Sequence, residues 1–482
     1  MEDIVKFETE GIMVSIPGRG EVRVFGSISQ FSGDCLAKNE IYGLTCSFSH
    51  DYNCSICYAK RDEFQKKFRE ENFTFRSKEE HEKDLRDLTS PTNVSDIIRG
   101  VKQNSVLNHS NSFHTAEDRS FDLMHLVPEG IIPYELGCVL YEFIYVRKLI
   151  TLGDFNDKLS QLLSTMEVDK PNTPPQLNPI TYGKGLSPKL AACEMMALLH
   201  NCTYVLGEVI TDEDDLHWKL LLQLQTIVDI LFAPKITESM LIYFSELYEE
   251  HLILFKELNT TLTIKPKQHF LIHFPSVVRS NGPPTFNSCF KYELRNAFFK
   301  KGAHIICNFK NIAMSLSVRN QLSALSHSVN KTRTRDHCIK THKFTPFHIH
   351  TLNGAQSVIE KFFVNPNESI LCSVKAKIWG RQYSKGNFVA VRKRPVDKTI
   401  EFGQIQTIIW FEKVAYLLVK LFNTLGEDNS IHAYNLKEEA ESKFLVLNVF
   451  ELLDYHPLDG CMPFDDRKLF VKLKYAVLRM PL

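Results

Sequence analysis

The sequence carries no excess of either charge: lysine plus arginine and aspartate plus glutamate stand at 57 each over 482 residues. Any attraction to nucleic acid or membrane therefore has to come from local patches. No stretch reaches the roughly 18 uninterrupted apolar residues of a membrane-spanning helix. The opening Met1-Glu2-Asp3-Ile4-Val5-Lys6 has acids where a secretory signal needs bases. Both absences point to an intracellular protein with no membrane partner. A phosphate-cradling glycine loop, a Gly-x-Ser-x-Gly elbow and a His-Glu-x-x-His helix are also missing, which leaves nucleotide-dependent and serine-hydrolase chemistry without support. The 12 cysteines are too sparse for a disulfide scaffold. Most, such as Cys138, Cys193 and Cys307, stand singly in apolar runs, as reduced core residues do. There is no internal repeat.

What remains is an ordinary globular composition, 44% hydrophobic and 24% charged, in a chain long enough for two or three domains. Residues 12 to 31 alternate β-branched and polar side chains around Gly18-Arg19-Gly20. That pattern predicts a hairpin whose second strand, Val22 to Phe31, runs into Gly33-Asp34 and leaves Asp34 at a strand's end. Asp62 to Asp87 is charged and helix-forming, and a polar, loop-like stretch follows to about Ser112. Leu136 to Ile150 has helical spacing. Residues 171 to 188 hold five prolines and two glycines, a linker composition. Three strong helical segments come next, Lys189 to Val209, Asp212 to Phe232 and Thr237 to Leu258. An amphipathic run extends from Phe290 to about Leu325, and Asn320 to Thr341 reads as a flexible arm. Between Lys291 and Lys343, eleven Lys or Arg face two acids, Glu293 and Asp336. Beyond about residue 345, short β-like runs at Ile370 to Val374, Asn387 to Val391, Gly403 to Phe411, Tyr416 to Phe422, Phe444 to Val449 and Leu469 to Leu473 predict a small separate β-barrel or sheet domain.

Three acids stand out by context: Asp34 after a strand, Asp122 in Phe121-Asp122-Leu123-Met124-His125, and Glu293 in a basic amphipathic helix. Phosphodiester cleavage by two divalent ions needs carboxylates gathered from distant points, because these hard cations take oxygen ligands. The same residues also read as a turn cap at Asp34 and a solvated acid at Glu293 paired with Lys291 or Arg295. Cys54-Ser55-Ile56-Cys57 has zinc-knuckle spacing, with His125, His50 or His114 as partners, but no second CxxC or HxxxH follows at finger distance. Two buried thiols are the other reading. Lys291, Arg295, Lys300, Lys301 and Lys310 could contact phosphates or could form a solvated helix face.

At these same residues the chain resembles animal transposon-encoded proteins related to CACTA (En/Spm) DDE transposases. Ser32-Gly33-Asp34-Cys35-Leu36-Ala37-Lys38-Asn39 is similar to that family's Gly-Asp-Asn-Leu block, and Tyr52-Asn53-Cys54-Ser55-Ile56-Cys57 to its CxxC knuckle. Phe121-Asp122-Leu123-Met124-His125-Leu126-Val127-Pro128-Glu129-Gly130 resembles its Asp-x-x-His signature. Lys265-Pro266-Lys267-Gln268-His269-Phe270-Leu271-Ile272-His273-Phe274-Pro275, then Phe290-Lys291-Tyr292-Glu293 and Cys307-Asn308-Phe309-Lys310-Asn311-Ile312, resemble its later blocks.

The resemblance implies an α+β multidomain fold: a partial ribonuclease-H-like core interrupted by a helical insertion, with a C-terminal β-barrel or sheet. Residues 1–60 would be incomplete core strands with the knuckle, 61–130 the helix, loop and Asp-x-x-His block, 131–280 the insertion, 281–344 the return to the core, and 345–482 the β domain. Asp34 would be the second and Glu293 the third acid of a site for Mg²⁺ or Mn²⁺. Asp122 and His125 would support that core or join Cys54 and Cys57 at a metal, Zn²⁺ for the cysteines. DNA of transposon ends would be the partner, a homo-oligomer the assembly and the nucleus the location. The chain also departs from the family. Only Glu2, Asp3, Glu8, Glu10 and Glu21 precede Asp34, none in a buried-strand context. Leu126 stands where the family has aspartate, and Leu294-Arg295-Asn296 where it has Ala-Lys-His. Loss of one of three ligands should lower strand transfer by orders of magnitude, so the expectation is a transposase remnant without activity. The alternative is a non-enzymatic protein that binds nucleic acid or protein.

Overall fold

Gly18 and Gly20, both at positive φ, turn the chain between two short strands in the computed structural model, which describes all residues except 211, 213, 308, 330–338, 342–344, 347–353, 363–369, 396, 413, 464–467 and 476–482. The architecture is α+β. Helix α1 (Glu2–Thr9) precedes the antiparallel pair β1 (Ile12–Ile16) and β2 (Gly20–Val24). β2 stops at Val24, which corrects the expectation of a strand reaching Phe31. At Gly26 the backbone turns against the Phe7 ring, so close that a Cβ would lie 2.3 Å from a ring carbon. Asp34 is consequently no strand-end acid. It caps α2 (Cys35–Ile41), its Oδ1 accepting from the Ala37 N–H at 2.7 Å.

The charged stretch from Asp62 is helical only in its last part, α3 (Lys78–Leu88), capped by Ser77. Before that, Phe64 and Phe73 turn into the core at a spacing no single helix face could present. Next, α4 (Leu123–Leu126) and α5 (Ile132–Tyr141) form one continuous helix through a π-turn at Val127–Ile131. Pro128 and Pro133 lack the N–H groups a tighter ladder would need, and the wider turn accommodates them.

After α6 (Leu152–Thr165), the proline-rich residues 171 to 188 do not behave as a free linker. Leu177, Ile180 and Leu186 are buried, and the Leu186 N–H donates to the Pro133 carbonyl at 3.1 Å. The three anticipated helices follow as α7 (Ala192–Leu206), α8 (Leu216–Leu231) and α9 (Glu238–Leu258). Asp215 and Thr237 cap the last two. Their apolar faces share one core with α5, including Leu198, Leu221, Val228, Phe244 and Phe255.

Two short helices close this layer, α10 (Pro266–Leu271) and α11 (Phe274–Asn281). A buried polar knot fixes α10. The Glu135 carboxylate accepts from Gln268 Nε2 at 2.6 Å and lies 2.7 Å from His251 Nε2, while the Tyr248 hydroxyl donates to the Gln268 carbonyl at 2.8 Å. Then α12 (Phe290–Ile306) and α13 (Ile312–Val329) pair with each other. The expected arm is thus helical as far as Val329, and most of the rest of it lies outside the described residues.

The C-terminal part contains β3 (Ile339–Thr341), β4 (Thr345–Pro346), α14 (Gln356–Phe362), β5 (Leu371–Ser373), β6 (Lys375–Ile378), β7 (Arg381–Ser384) and β8 (Phe388–Lys393). It continues with β9 (Ile400–Phe411), β10 (Val414–Asp428), β11 (Ala433–Glu438), β12 (Phe444–Asn448), β13 (Asp454–Leu458), β14 (Gly460–Cys461) and β15 (Leu469–Val471). Every strand predicted from sequence in this region is present. The larger sheet is antiparallel and curled, in the order β13-β8-β9-β10-β11-β15-β14, with β12 on β10, β5 on β9 and β4 on β5. Along β10, Leu417, Val419 and Leu421 face one core and Leu418 another, so both faces are covered. The smaller sheet runs β3-β6-β7. Ile431, Ala433, Cys461 and Phe470 join the helical core, and Lys472 Nζ donates to the His200 carbonyl at 2.8 Å.

The Glu135 knot yields a direct test. Glu135→Ala strands buried donors on His251 and Gln268, so urea unfolding should show a loss of about 3 kcal/mol. Glu135→Gln should lose less than the alanine variant.

Candidate metal centre and the neighbouring acid cluster

Cys54 and Cys57 lie on a tight loop that pairs with the segment around Phe75. The Arg76 N–H donates to the Ile56 carbonyl and the Tyr58 N–H to the Thr74 carbonyl, both at 2.9 Å. Arg76 itself is buried, and its guanidinium donates to the carbonyls of Cys54, Tyr52 and Arg99 at 2.9, 3.2 and 3.1 Å. This loop faces the elbow between α10 and α11. There, His269 sits on the last turn of α10 and His273 caps α11.

The four side chains form one buried group whose donor atoms all lie within 4.8 Å of one another. Cys57 Sγ is 3.2 Å from His269 Nε2 and 3.3 Å from His273 Nε2. A tetrahedral zinc ion with bonds of roughly 2.0–2.3 Å separates its ligands by about 3.3–3.8 Å.

The surroundings suit a cation. Glu70 Oε1 holds His273 Nδ1 at 2.9 Å, which leaves Nε2 facing the thiols, and Ser276 Oγ donates to the other Glu70 oxygen at 2.6 Å. The Ile56 N–H points at Cys54 Sγ from 3.4 Å. Phe64 stacks on the His269 ring at 4.8 Å between centroids, and Phe73 meets it edge-on at 4.9 Å. Burial opposes charge on Cys54, yet hydrogen bonds with Cys57, His269 and His273 outweigh it and hold this thiol below its ordinary value. Burial likewise opposes charge on His273, but Cys54 and Glu70 bring it up to about 9. Two soft sulfurs and two imidazoles, with a carboxylate behind one of them, form a buried group that could hold a metal.

Sequence reasoning proposed the wrong histidines. His50 lies 3.2 Å from its neighbour's carbonyl, Asp51 O, and His114 packs edge-on against His81. His125 belongs to a different cluster. The histidines that do lie beside the cysteines are written as His269-x-x-x-His273, 212 residues beyond Cys57 and far outside any finger spacing.

The second cluster gathers around His125. Asp122 caps α4 and accepts from the His125 N–H at 3.0 Å, while its Oδ2 holds His125 Nδ1 at 2.6 Å. Its Oδ1 accepts from the Cys289 N–H at 2.7 Å and the Ser288 hydroxyl at 3.0 Å. Asp122, His125 and Cys289 are close enough together to hold an ion. The other ring nitrogen, His125 Nε2, lies 3.3 Å from Glu293 Oε1 and 3.9 Å from Glu129.

Lys267, from α10, donates to the carbonyls of His125 at 2.6 Å and Glu129 at 3.3 Å. Gly130 makes that approach available, since a Cβ there would lie 2.3 Å from the lysine chain. Burial pulls the Lys267 ammonium below its ordinary value, and Cys35, Glu129, Asp34 and Asp122 oppose the shift. Glu293 enters this cluster through His125, whereas Asp34 makes no ion pair with Lys267 and joins neither metal-capable group among the described residues. Helix α2 is held in place by the buried ion pair between Lys38 and Asp118 at 3.0 Å.

The basic residues are less ordered into a site. Lys291, Arg295, Lys300, Lys301 and Lys310 are all exposed. At roughly 100° per residue, Lys300 points away from Lys291 and Arg295, so the α12 cations ring the helix without lining one face. Arg295 donates to Asn320 Oδ1 at 2.8 Å, bridging α12 to α13, and Lys291 donates to the Phe286 carbonyl at 3.2 Å.

Compared with known proteins, the chain matches no family model and no curated protein.

The Asp122 hydrogen bond raises the His125 pKa against the opposing effect of burial. The ion pair therefore stabilises the fold fully below about pH 6.5, the ordinary histidine value, and fades as pH rises through the higher folded-state value. In Asp122→Asn, an NMR titration should find the His125 pKa lowered. Stability measured by urea at acidic pH should fall more than at alkaline pH. An unmoved titration would contradict the pairing.

Proposed function

We propose that this chain is a transposon-derived remnant of a CACTA (En/Spm)-like transposase, whose ancestral chemistry was two-metal DNA cleavage and strand transfer. One observation carries the reading: the sequence blocks that resemble the family meet in space. The cysteine pair meets the Lys265 to Pro275 block across 212 residues, and Asp122 meets Cys289 across 167. In this reading a ribonuclease-H-like core is interrupted by the helical layer of residues 131 to 280, and the curled sheet is the accompanying β domain.

Asp34 and Glu293 are the carboxylates assigned to Mg²⁺ or Mn²⁺. Such ions would supply charge stabilisation for an attacking and a leaving oxygen. Asp122 orients His125, which positions Glu293. Glu293 already lies against His125, at 3.3 Å from its Nε2, and Asp34 is taken up as the cap of α2. Asp122 is committed to four hydrogen-bond donors. We therefore assign little or no strand transfer to the chain, with DNA held in the nucleus as its remaining role. Zinc at Cys54, Cys57, His269 and His273 is structural, because the four donors fill a tetrahedral shell and leave no open position.

A non-enzymatic reading, binding nucleic acid or protein through α12 and α13, is favoured by the exposed Leu294, Ile305, Met314 and Leu322 on that pair. Salt-sensitive DNA binding that survives Glu293→Ala and fails when Lys300, Lys301 and Lys310 are neutralised would select it.

Two measurements test the proposal. On DNA with terminal inverted repeats and Mn²⁺, nicking should stay at background. Robust turnover abolished by Asp34→Ala and by Glu293→Ala would overturn the assignment of inactivity while upholding the site. Purified protein should carry one zinc per chain. Strong chelation, or His269→Ala, should remove it and lower Tm by on the order of 10 °C.

A further inference from the structure

A cavity of about 390 Å³ lies between the β6–β7 hairpin, the segment from Val449 to Tyr455, and Pro234 and Lys235 of the α8–α9 connection. Its size falls in the range of roughly 300–1,000 Å³ found for small-molecule sites. Neither the metal centre nor the acid cluster contributes a residue to it. Three features set it apart.

First, its mouth is aromatic and open. Trp379 and Phe450 are 57% and 72% exposed, and their rings meet edge-on with centroids 5.6 Å apart. Second, the turn that presents Trp379 is an unusual place for that residue. Trp379 and Gly380 both have positive φ, 49° and 81°. A two-residue hairpin turn of this kind favours Asn-Gly, and a bulky side chain in the left-handed region is strained. Folding gives no reason to place tryptophan there, whereas holding an indole face in solvent does.

Third, the wall contains a buried carboxylate. Asp454 is 4% exposed. Its Oδ1 accepts from the N–H and Nδ1 of His456 at 3.1 and 2.7 Å, but its Oδ2 has no hydrogen-bond partner. That oxygen has almost no accessible surface, so the acid adds charge to the wall and makes no bond to a guest.

Charge decides the class of ligand. An aromatic cage with one acid could take a methylated ammonium group. Here, however, Lys235 and Arg381 also line the cavity, and Arg381 already lies 5.7 Å over the Tyr455 ring. Two cations against one acid repel a cationic guest and suit a ligand with an apolar π-face and a phosphate.

We propose that this cavity binds an unpaired nucleobase. The base stacks on Trp379 and Phe450, and its phosphate lies near Lys235 and Arg381. Base stacking on aromatic side chains is the general device of single-strand recognition. The inference uses neither Asp34 nor Glu293, so it stands or falls apart from the transposase reading.

The test uses the full chain, tryptophan emission and fluorescence anisotropy with short oligo-dA, oligo-dT, an abasic deoxyribose-phosphate chain of equal length, dAMP and a trimethyl-lysine peptide. Oligo-dA should quench emission and bind more tightly than oligo-dT. Trp379→Phe should keep binding and lose the quench, and Trp379→Ala should weaken oligo-dA roughly tenfold. Saturation by dAMP as tight as by oligo-dA would assign the site to free nucleotides, and tighter oligo-dA to a strand; both support base recognition. Equal binding of the abasic chain, indifference to Trp379→Ala in a variant with native circular dichroism, or stronger quenching by the trimethyl-lysine peptide would overturn it.

Discussion

The contact between the Cys54–Cys57 loop and the His269–His273 elbow fixes much of the rest of the structure. It joins chain segments more than two hundred residues apart, at a point where four buried donors and the outer acid Glu70 converge. Hydrophobic burial alone does not specify such a point, because it is non-directional. The contacts of Cys57 Sγ with His269 and His273 are directional, and they set the loop against α10. Glu135 locks α10 from the other side through Gln268, so the helix is held between a metal-type site and a buried polar knot. Both devices fail sharply when one member is lost, since each leaves buried polar groups without partners.

The acid cluster depends on that placement. Lys267 lies two residues before His269 on the same short helix, and it reaches the His125 and Glu129 carbonyls because Gly130 leaves room. Any shift of α10 would move Lys267, and with it the charge balance among Asp34, Asp122 and Glu129. The two clusters are thus mechanically linked through one helix.

Much of the helical layer was legible in sequence, and the reasons are local. Asp215 and Thr237 stand where caps belong, and α7 to α9 carry long apolar runs. The C-terminal strands were legible through β-branched runs and turns, although β6, β7, β11 and β13 were too short or too polar to stand out. Long-range geometry was less visible. The cysteine spacing announced half a metal site, while its other half was written as an i, i+4 histidine pair with no proximity signal. The strand expected to reach Asp34 ends at Val24, just before Gly26 packs on the Phe7 ring. The proline-rich stretch misled by composition, since its leucines and isoleucine bury against α5.

Zinc K-edge absorption spectroscopy of the purified chain tests the central claim most directly, because it reads ligand identity and distance together. The account predicts two sulfur scatterers at about 2.3 Å and two nitrogens at about 2.0 Å. A shell of oxygen and nitrogen alone, or protein that folds fully with no bound metal, would contradict it.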